Sequence, residues 1–209
     1  MLFKETVEPT TLALIQLLQR DPLFEDFYLV EGTALSLQLG HRTSVDIDLF
    51  SRSPFNHEYF LEQLEKKYSF SLQYMNKNTL KGIVNGVFID ILTHDYVYIS
   101  ETIEIEGIKM LDKKDIAAMK INAISGNGTR AKDFIDIYFL LKEFQFGQLI
   151  EFYLKKYGFR NEFHAIKSLT FFNDMNTNDW PVLKKEPKLT VSKLKRELVK
   201  KRDAFLKSL

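Results

Sequence analysis

The sequence predicts an α+β protein: a mixed α/β part over residues 1–108, then an all-helical part over residues 109–209. Three observations carry this. Short alternating or apolar runs bounded by turn residues crowd the first half, as strands of a sheet do. Asn85-Gly86 separates two of them, and that dipeptide is a strong signal for a two-residue hairpin. From Asp112 onward the apolar residues recur only at helical spacing.

The elements follow in order. Residues 8–20 form an amphipathic helix, with Leu12, Leu14, Ile15, Leu17 and Leu18 apolar and Pro9 near its start. Phe27 to Val30 is a strand. Thr33 to Leu39 is a short helix closed by Gly40. Val45 to Phe50 is a strand. Asn56 caps a helix to Lys67. Ser69 to Tyr74 alternates as a half-buried strand, and Leu80–Val84 and Val87–Leu92 flank the hairpin turn. Asp112-Lys113-Lys114-Asp115 opens a helix through Ile124. After the Ser125-Gly126-Asn127-Gly128 turn a second helix spans Arg130 to Phe144. Further helices cover about 148–157, 162–172 and 191–207, with a loop at Asn176–Pro181.

Composition bounds the function. With 45% apolar and 27% charged residues, the chain suits a packed soluble domain. It has no cysteine, which excludes disulfides and thiolate zinc sites and is compatible with a cytoplasmic location. No signal peptide is read at Met1–Glu5, and no apolar run approaches the roughly 18 residues of a membrane span, so no membrane partner is expected. The net charge of +1 hides an asymmetry. From Lys184 to Leu209 ten Lys/Arg face three Asp/Glu, while the rest of the chain is net acidic. Such a tail either recruits nucleic acid or is the solvated side of an amphipathic helix.

The stretch Leu29-Val30-Glu31-Gly32-Thr33 leads, fourteen residues after the glycine, to Asp46-Ile47-Asp48. On a strand, residues two apart share a face, so Asp46 and Asp48 project together and Ile47 turns away. Two such carboxylates suit Mg²⁺, which takes hard oxygen ligands and leaves positions for phosphates. A glycine turn opening a helix offers backbone N–H groups to a phosphate, so Gly32 and Thr33 are candidates for lining a triphosphate. Asp90, flanked by Phe88, Ile89, Ile91 and Leu92, is an acid within an apolar strand and needs a metal or a cation beside it. Two Mg²⁺ about 3.5–4 Å apart orient an attacking hydroxyl and stabilise leaving pyrophosphate, with Asp90 as base. The alternative for Asp90 is a buried salt bridge.

The helical part adds Lys120, on the edge of an apolar face and able to reach an anion or to snorkel to water. Arg130, Lys132, Asp133 and Asp136 open the next helix. Asp136 is placed to accept from Lys120 or to fix its helix against the catalytic sheet; the alternative for Lys132 is a surface pair with Asp136 four residues on. His41 and Arg42, just before the Asp pair, are candidates for phosphate or RNA contact.

The run from Phe27 to Ser51 resembles the core motif of the AbiEii/AbiGii toxin family, nucleotidyltransferases of the DNA polymerase beta superfamily. Asp115–Lys120 and Lys132–Leu141 resemble its later motifs, and the likeness covers roughly residues 8–145. The resemblance implies a polymerase beta-like fold, a mixed sheet with flanking helices followed by a helical bundle. It implies a toxin of a toxin–antitoxin or phage-defence (abortive infection) system, with a cognate antitoxin. It implies transfer of NMP from an NTP, with tRNA as a target in characterised members. It also implies metal ligands at Asp46 and Asp48, a third acid at Asp90, and roles for Lys120 and Asp136. One departure stands out: the family usually has a second glycine where this chain has Glu31, whose carboxylate would repel a triphosphate.

The leading expectation is Mg²⁺-dependent transfer of NMP from an NTP to an RNA acceptor such as tRNA. Asp46, Asp48 and Asp90 hold metal. Gly32, Thr33, Lys120, Arg130 and Lys132 contact the nucleotide, and Lys120 neutralises developing charge. Transfer to a protein hydroxyl, and a catalytically weak nucleotide- or RNA-binding partner within a toxin–antitoxin complex, are the competing readings.

Overall fold

Seven strands form one mixed sheet in the order β3-β4-β5-β2-β1-β7-β6. They are β1 Tyr28–Leu29, β2 Ile47–Ser51, β3 Ser71–Asn76, β4 Thr79–Val84, β5 Val87–Thr93, β6 Ile103–Ile105 and β7 Ile108–Met110. The computed structural model describes residues 1–158 and 161–209, and in these the chain divides into two units. The sheet unit comprises Met1–Tyr96 and Glu101–Leu111; the helical unit comprises Val97–Ser100 and Asp112–Leu209.

In the sheet unit, β2 runs parallel to β5 and antiparallel to β1, while β1 runs parallel to β7. Three helices accompany the strands: α1 Pro9–Arg20, α2 Glu31–Leu39 and α3 His57–Tyr68. Leu14, Ile15 and Leu18 of α1, Leu35 and Leu37 of α2, and Ile47, Leu49, Ile89 and Ile91 of the central strands are buried and form the core. Phe24, Phe27, Phe55 and Phe60 extend it as an aromatic cluster, with ring centroids 4.7–5.7 Å apart and mostly edge-on or tilted.

Local chemistry explains the ends of these elements. The Asn56 side chain accepts from the Glu58 and Tyr59 amides and caps α3. Gly40 closes α2 in the left-handed region, φ 65°. Asn85 and Gly86 both take positive φ, as the two-residue hairpin requires, and Val84 faces Val87 across it. A second hairpin, β6 to β7 through Glu106-Gly107, has only three residues per strand and carries too little pattern to be read from the sequence.

The helical unit holds α4 Lys113–Gly126, α5 Ala131–Leu140, α6 Phe146–Tyr157, α7 Glu162–Ser168 and α8 Val191–Leu206. Ile116, Ile121, Phe134, Ile137, Leu149, Ile150, Leu194 and Leu198 are buried in its core. Asp112 caps α4 through the Lys114 amide, and Thr190 caps α8 through that of Lys193. Helix α8 buries Leu194 and Leu198 and leaves Arg196, Lys200 and Lys201 exposed, so the basic tail is an amphipathic helix with a charged outer side.

Candidate active site

The chain carries three acids into one part of the sheet. Asp46 lies just ahead of β2, which begins at Ile47, so the expected strand start at Val45 is early by two residues. Alternation still runs through it: Ile47, Leu49 and Ser51 are buried, while Asp46, Asp48 and Phe50 are partly exposed. The parallel pairing of β2 with β5 sets Asp48 directly beside Asp90, and the antiparallel pairing of β4 with β5 sets Lys81 on the other side of Asp90. Register partners share a face, so Lys81, Asp90 and Asp48 form one row across three strands.

Asp90 is not the buried acid its apolar neighbours suggest. Phe88 is exposed, and the Asp90 side chain keeps 31% of its surface open. The apolar run reflects a strand whose core face is Val87, Ile89 and Ile91. Asp90 forms an ion pair with Lys81, itself 42% exposed. An exposed pair of this kind contributes about 0–1 kcal/mol, and like charges side by side on a sheet cost energy. Stability therefore does not account for the pairing of Asp48 beside Asp90.

The turn before α2 holds this arrangement. Gly32 lies within the first turn of the helix, which begins at Glu31 and not at Thr33. A Cβ at Gly32 would sit 2.6 Å from the Arg42 guanidinium and 3.2 Å from Ser44 Oγ, so any larger residue would require the buried Arg42 side chain to shift. Arg42 is buried and donates to the Thr43 carbonyl at 3.0 Å; His41 is buried too. The Thr33 side chain is fully buried. Its hydroxyl lies 2.9 Å from Ser44 Oγ and donates to the carbonyl oxygen of Asp46. Thr33 thus anchors the backbone that presents Asp46; it does not face outward as the lining of a phosphate site would. Glu31 takes φ 58°, a left-handed conformation that favours glycine. The position at which the chain departs from the family pattern is therefore one whose backbone prefers glycine.

The later candidates lie in the helical unit. Lys120 is buried, its Nζ 2.8 Å from Asp133 Oδ1 and 3.4 Å from Asp136 Oδ2. The expected reach to a phosphate is replaced by this ion triad, because α4 and α5 pack with Lys120 between them and the two acids one turn apart on α5 meet it. Asp136 accordingly pairs with Lys120, the first of its two expected roles. Arg130 is exposed and its Nε lies 3.7 Å from Asp133 Oδ2. Lys132 is partly exposed.

A second buried pair joins Lys156 of α6 to Asp115 of α4 at 2.8 Å. Asp115 accepts from the Ile99 and Ser100 amides, and Lys156 donates to the Val97 carbonyl, so the pair fastens residues 97–100 to the helices. Lys81 and this second pairing escaped the sequence reading, which named Asp133 and Asp115 without their lysine partners. Only Lys81 left a usable signal, since a count back from the Asn85-Gly86 turn places it opposite Asp90.

Carboxylates on one sheet face supply the hard oxygen donors that Mg²⁺ takes. Among the described residues no three His, Cys, Asp or Glu close tightly enough to hold a metal unaided. The arrangement would fit an ion held by one or two carboxylates and completed by water and substrate phosphate; Asp46 and Asp48 are the carboxylates that would hold it, while Asp90 pairs with Lys81.

Comparison with known proteins identifies the family. Residues 13–85 and 62–205 match the family model described as Nucleotidyl transferase AbiEii toxin, Type IV TA system. The chain is 34% identical over 155 residues to an uncharacterized protein, aq_aa25, of Aquifex aeolicus strain VF5, covering 71% of this chain and 75% of that one. Among solved structures it is similar to JHP933 from Helicobacter pylori, at 16% identity and a TM-score of 0.47, with 97% of each chain covered. It is also similar to the Megavirus polyadenylate synthase, at 22% identity and a TM-score of 0.45, over 65% of this chain but 32% of that one. The family match spans both units, and on it the chain belongs to the AbiEii toxin family and is a nucleotidyltransferase.

Proposed function

We propose that this protein transfers a nucleoside monophosphate from an NTP to a hydroxyl of an RNA acceptor, of the tRNA class, and acts as the toxin of a toxin–antitoxin or abortive-infection pair held in check by a cognate antitoxin. The observation that carries the chemistry is the row of Asp48, Asp90 and Lys81 across three strands, with Asp46 two residues ahead of Asp48. Asp46 and Asp48 are the residues that would hold Mg²⁺, which when bound neutralises triphosphate charge. Asp90, oriented by Lys81, accepts the proton of the attacking hydroxyl. The acceptor oxygen bonds to the α-phosphorus as the bond to pyrophosphate breaks. Thr33 keeps the Asp46 backbone in place through its carbonyl. The exposed basic side of α8 supports an RNA acceptor, since Lys and Arg arrayed along one helix suit a phosphate backbone.

The test is a transfer assay with Mg²⁺, each α-labelled NTP in turn, and total tRNA or cell protein as acceptor. Label on RNA that Asp46→Asn and Asp48→Asn both abolish is the expected result. Label on protein alone, or label that persists in both variants, refutes it.

A further inference from the structure

We propose that a pocket in the helical unit binds one ribonucleotide of the acceptor strand, its base against Phe171 and its phosphate at Lys167. The inference rests on the RNA-acceptor reading and adds a recognition site to it. The pocket encloses about 420 Å³ between the turn that follows α4 and the stretch from α7 to Asp174. That is the size range of small-ligand sites.

Three features of its walls point to a nucleotide. Phe171 leaves 45% of its surface exposed, a large ring presented to solvent at the pocket. Aromatic rings so placed stack on bases of single-stranded RNA. Ser125, in the pocket wall, has its Oγ turned inward, buried and without a hydrogen-bond partner among the described residues; rotation of the side chain toward the pocket would let a ligand polar group satisfy it. Gly126, the last residue of α4, has no positive φ, and a Cβ there would meet nothing within 4 Å. Neither backbone nor packing calls for glycine at this helix end. Bare backbone at a pocket wall is what close approach of a ligand needs.

The charges complete the argument. His164 and Lys167 lie one turn apart on α7, and His164 Nε2 is 3.1 Å from the Ser125 carbonyl oxygen, which ties the two walls together. Asp174 lines the same pocket. A carboxylate repels a bare phosphate but accepts from the exocyclic amino group of a base. A cation, a carboxylate and a ring therefore match a nucleotide better than an inorganic anion.

The experiment is fluorescence anisotropy of the full chain with 5′-labelled hexaribonucleotides of A, C and U, with free AMP, CMP and UMP as competitors. We expect at least one hexamer to bind. Phe171→Ala should weaken it about tenfold. Lys167→Gln should reduce the slope of log affinity against log salt by about 0.7. Gly126→Ala should weaken binding at least about fivefold without lowering the melting temperature, a divergence that a purely structural glycine would not produce. Unchanged binding in both Phe171→Ala and Gly126→Ala overturns the pocket. Displacement of the hexamer by equal concentrations of a free nucleotide overturns its assignment to a strand. Asp48→Asn should lose transfer and keep hexamer binding. Wild-type protein that binds the hexamer but transfers nothing therefore counts against the transfer reaction alone, and transfer with no hexamer bound counts against the pocket alone.

Discussion

The sheet unit and the helical unit both contain clustered Asp and Lys, and they use them in opposite ways. On the sheet, Lys81 and Asp90 keep 42% and 31% of their side chains open, and the pair contributes little to stability. In the helical unit, Lys120, Asp133 and Asp136 are sealed to 1% or less, as are Lys156 and Asp115. Buried ions lose their hydration and regain it only through their partners, so removing one partner strands the other. The same residue types are available for ligands in one unit and are structural in the other, and burial decides which.

The largest effect should come from breaking the buried triad. Lys120→Met leaves Asp133 and Asp136 without their shared cation and should cost about 3–5 kcal/mol. For a chain of this size that lowers the melting temperature by roughly 10 °C. Adding Asp133→Asn and Asp136→Asn to the same chain should recover part of the loss, because no unpaired charge then remains. A Lys120→Met protein that melts like the wild type would show that the triad is not a structural ion cluster.

On the sheet the expectation reverses. Asp48→Asn should reduce nucleotide transfer by about a hundredfold or more, the scale of losing a group that stabilises transition-state charge. Its melting temperature should change little, or rise, because one of three neighbouring negative charges is gone. Activity and thermal melts on the same samples separate the two classes: stability falls in the helical variant, activity in the sheet variant.

That contrast was only half legible in the sequence. The strand and helix within residues 28–39, the hairpin at Asn85-Gly86 and the alternation through Asp46 and Asp48 rest on local pattern and turn chemistry, and they stand in the structure, with the helix starting two residues earlier than expected. What local pattern does not encode is the depth of a charge. Lys120 reads like an edge lysine, because its apolar neighbours at three and four residues are equally compatible with snorkelling; only packing against α5 shows that it is sealed. Lys156 and Asp115 are 41 residues apart, and nothing in either segment announces the other. Asp90 errs in the opposite direction, since an apolar strand with one open face reads as one buried on both.

An intermediate case sharpens the comparison. Asp21, at the end of α1, accepts from Tyr68 Oη at 2.6 Å, from Lys67 Nζ at 2.9 Å and from the Leu23 amide at 2.9 Å. Burial opposes ionisation of Asp21, but hydrogen bonds from Tyr68, Lys67 and Leu23, with the charge of Lys67, outweigh it and hold the carboxyl below its ordinary 3.8. Burial, then the hydrogen bond and charge of Asp21, push the Tyr68 phenol well above its ordinary 10.0. Asp21 therefore contributes stability that is complete above about pH 4 and is lost as pH falls through its lowered folded-state value. Tyr68 contributes stability that is complete below about pH 10 and is lost as pH rises toward its raised value. Tyr68→Phe should cost about 1–2 kcal/mol at neutral pH. It should also flatten both limbs of the stability-against-pH curve, measured by urea unfolding between pH 3 and 11. A variant whose curve keeps the wild-type shape would remove Tyr68 from this linkage.

The smallest effect belongs to Glu31. A side chain at φ 58° costs about 1–2 kcal/mol, and glycine would relieve it. Glycine also adds roughly 0.5–1 kcal/mol of entropy cost on folding. Glu31→Gly should therefore stabilise the chain by about 0.5–1 kcal/mol, a rise of a few degrees in a thermal melt. The same variant asks whether Glu31 belongs with the open carboxylates of the sheet. If its charge faces the bound triphosphate, KM for the NTP should fall with the substitution while kcat holds. If only the melting temperature moves, the residue acts through its backbone alone. A loss of stability would mean that contacts of the Glu31 side chain outweigh the strain of its backbone.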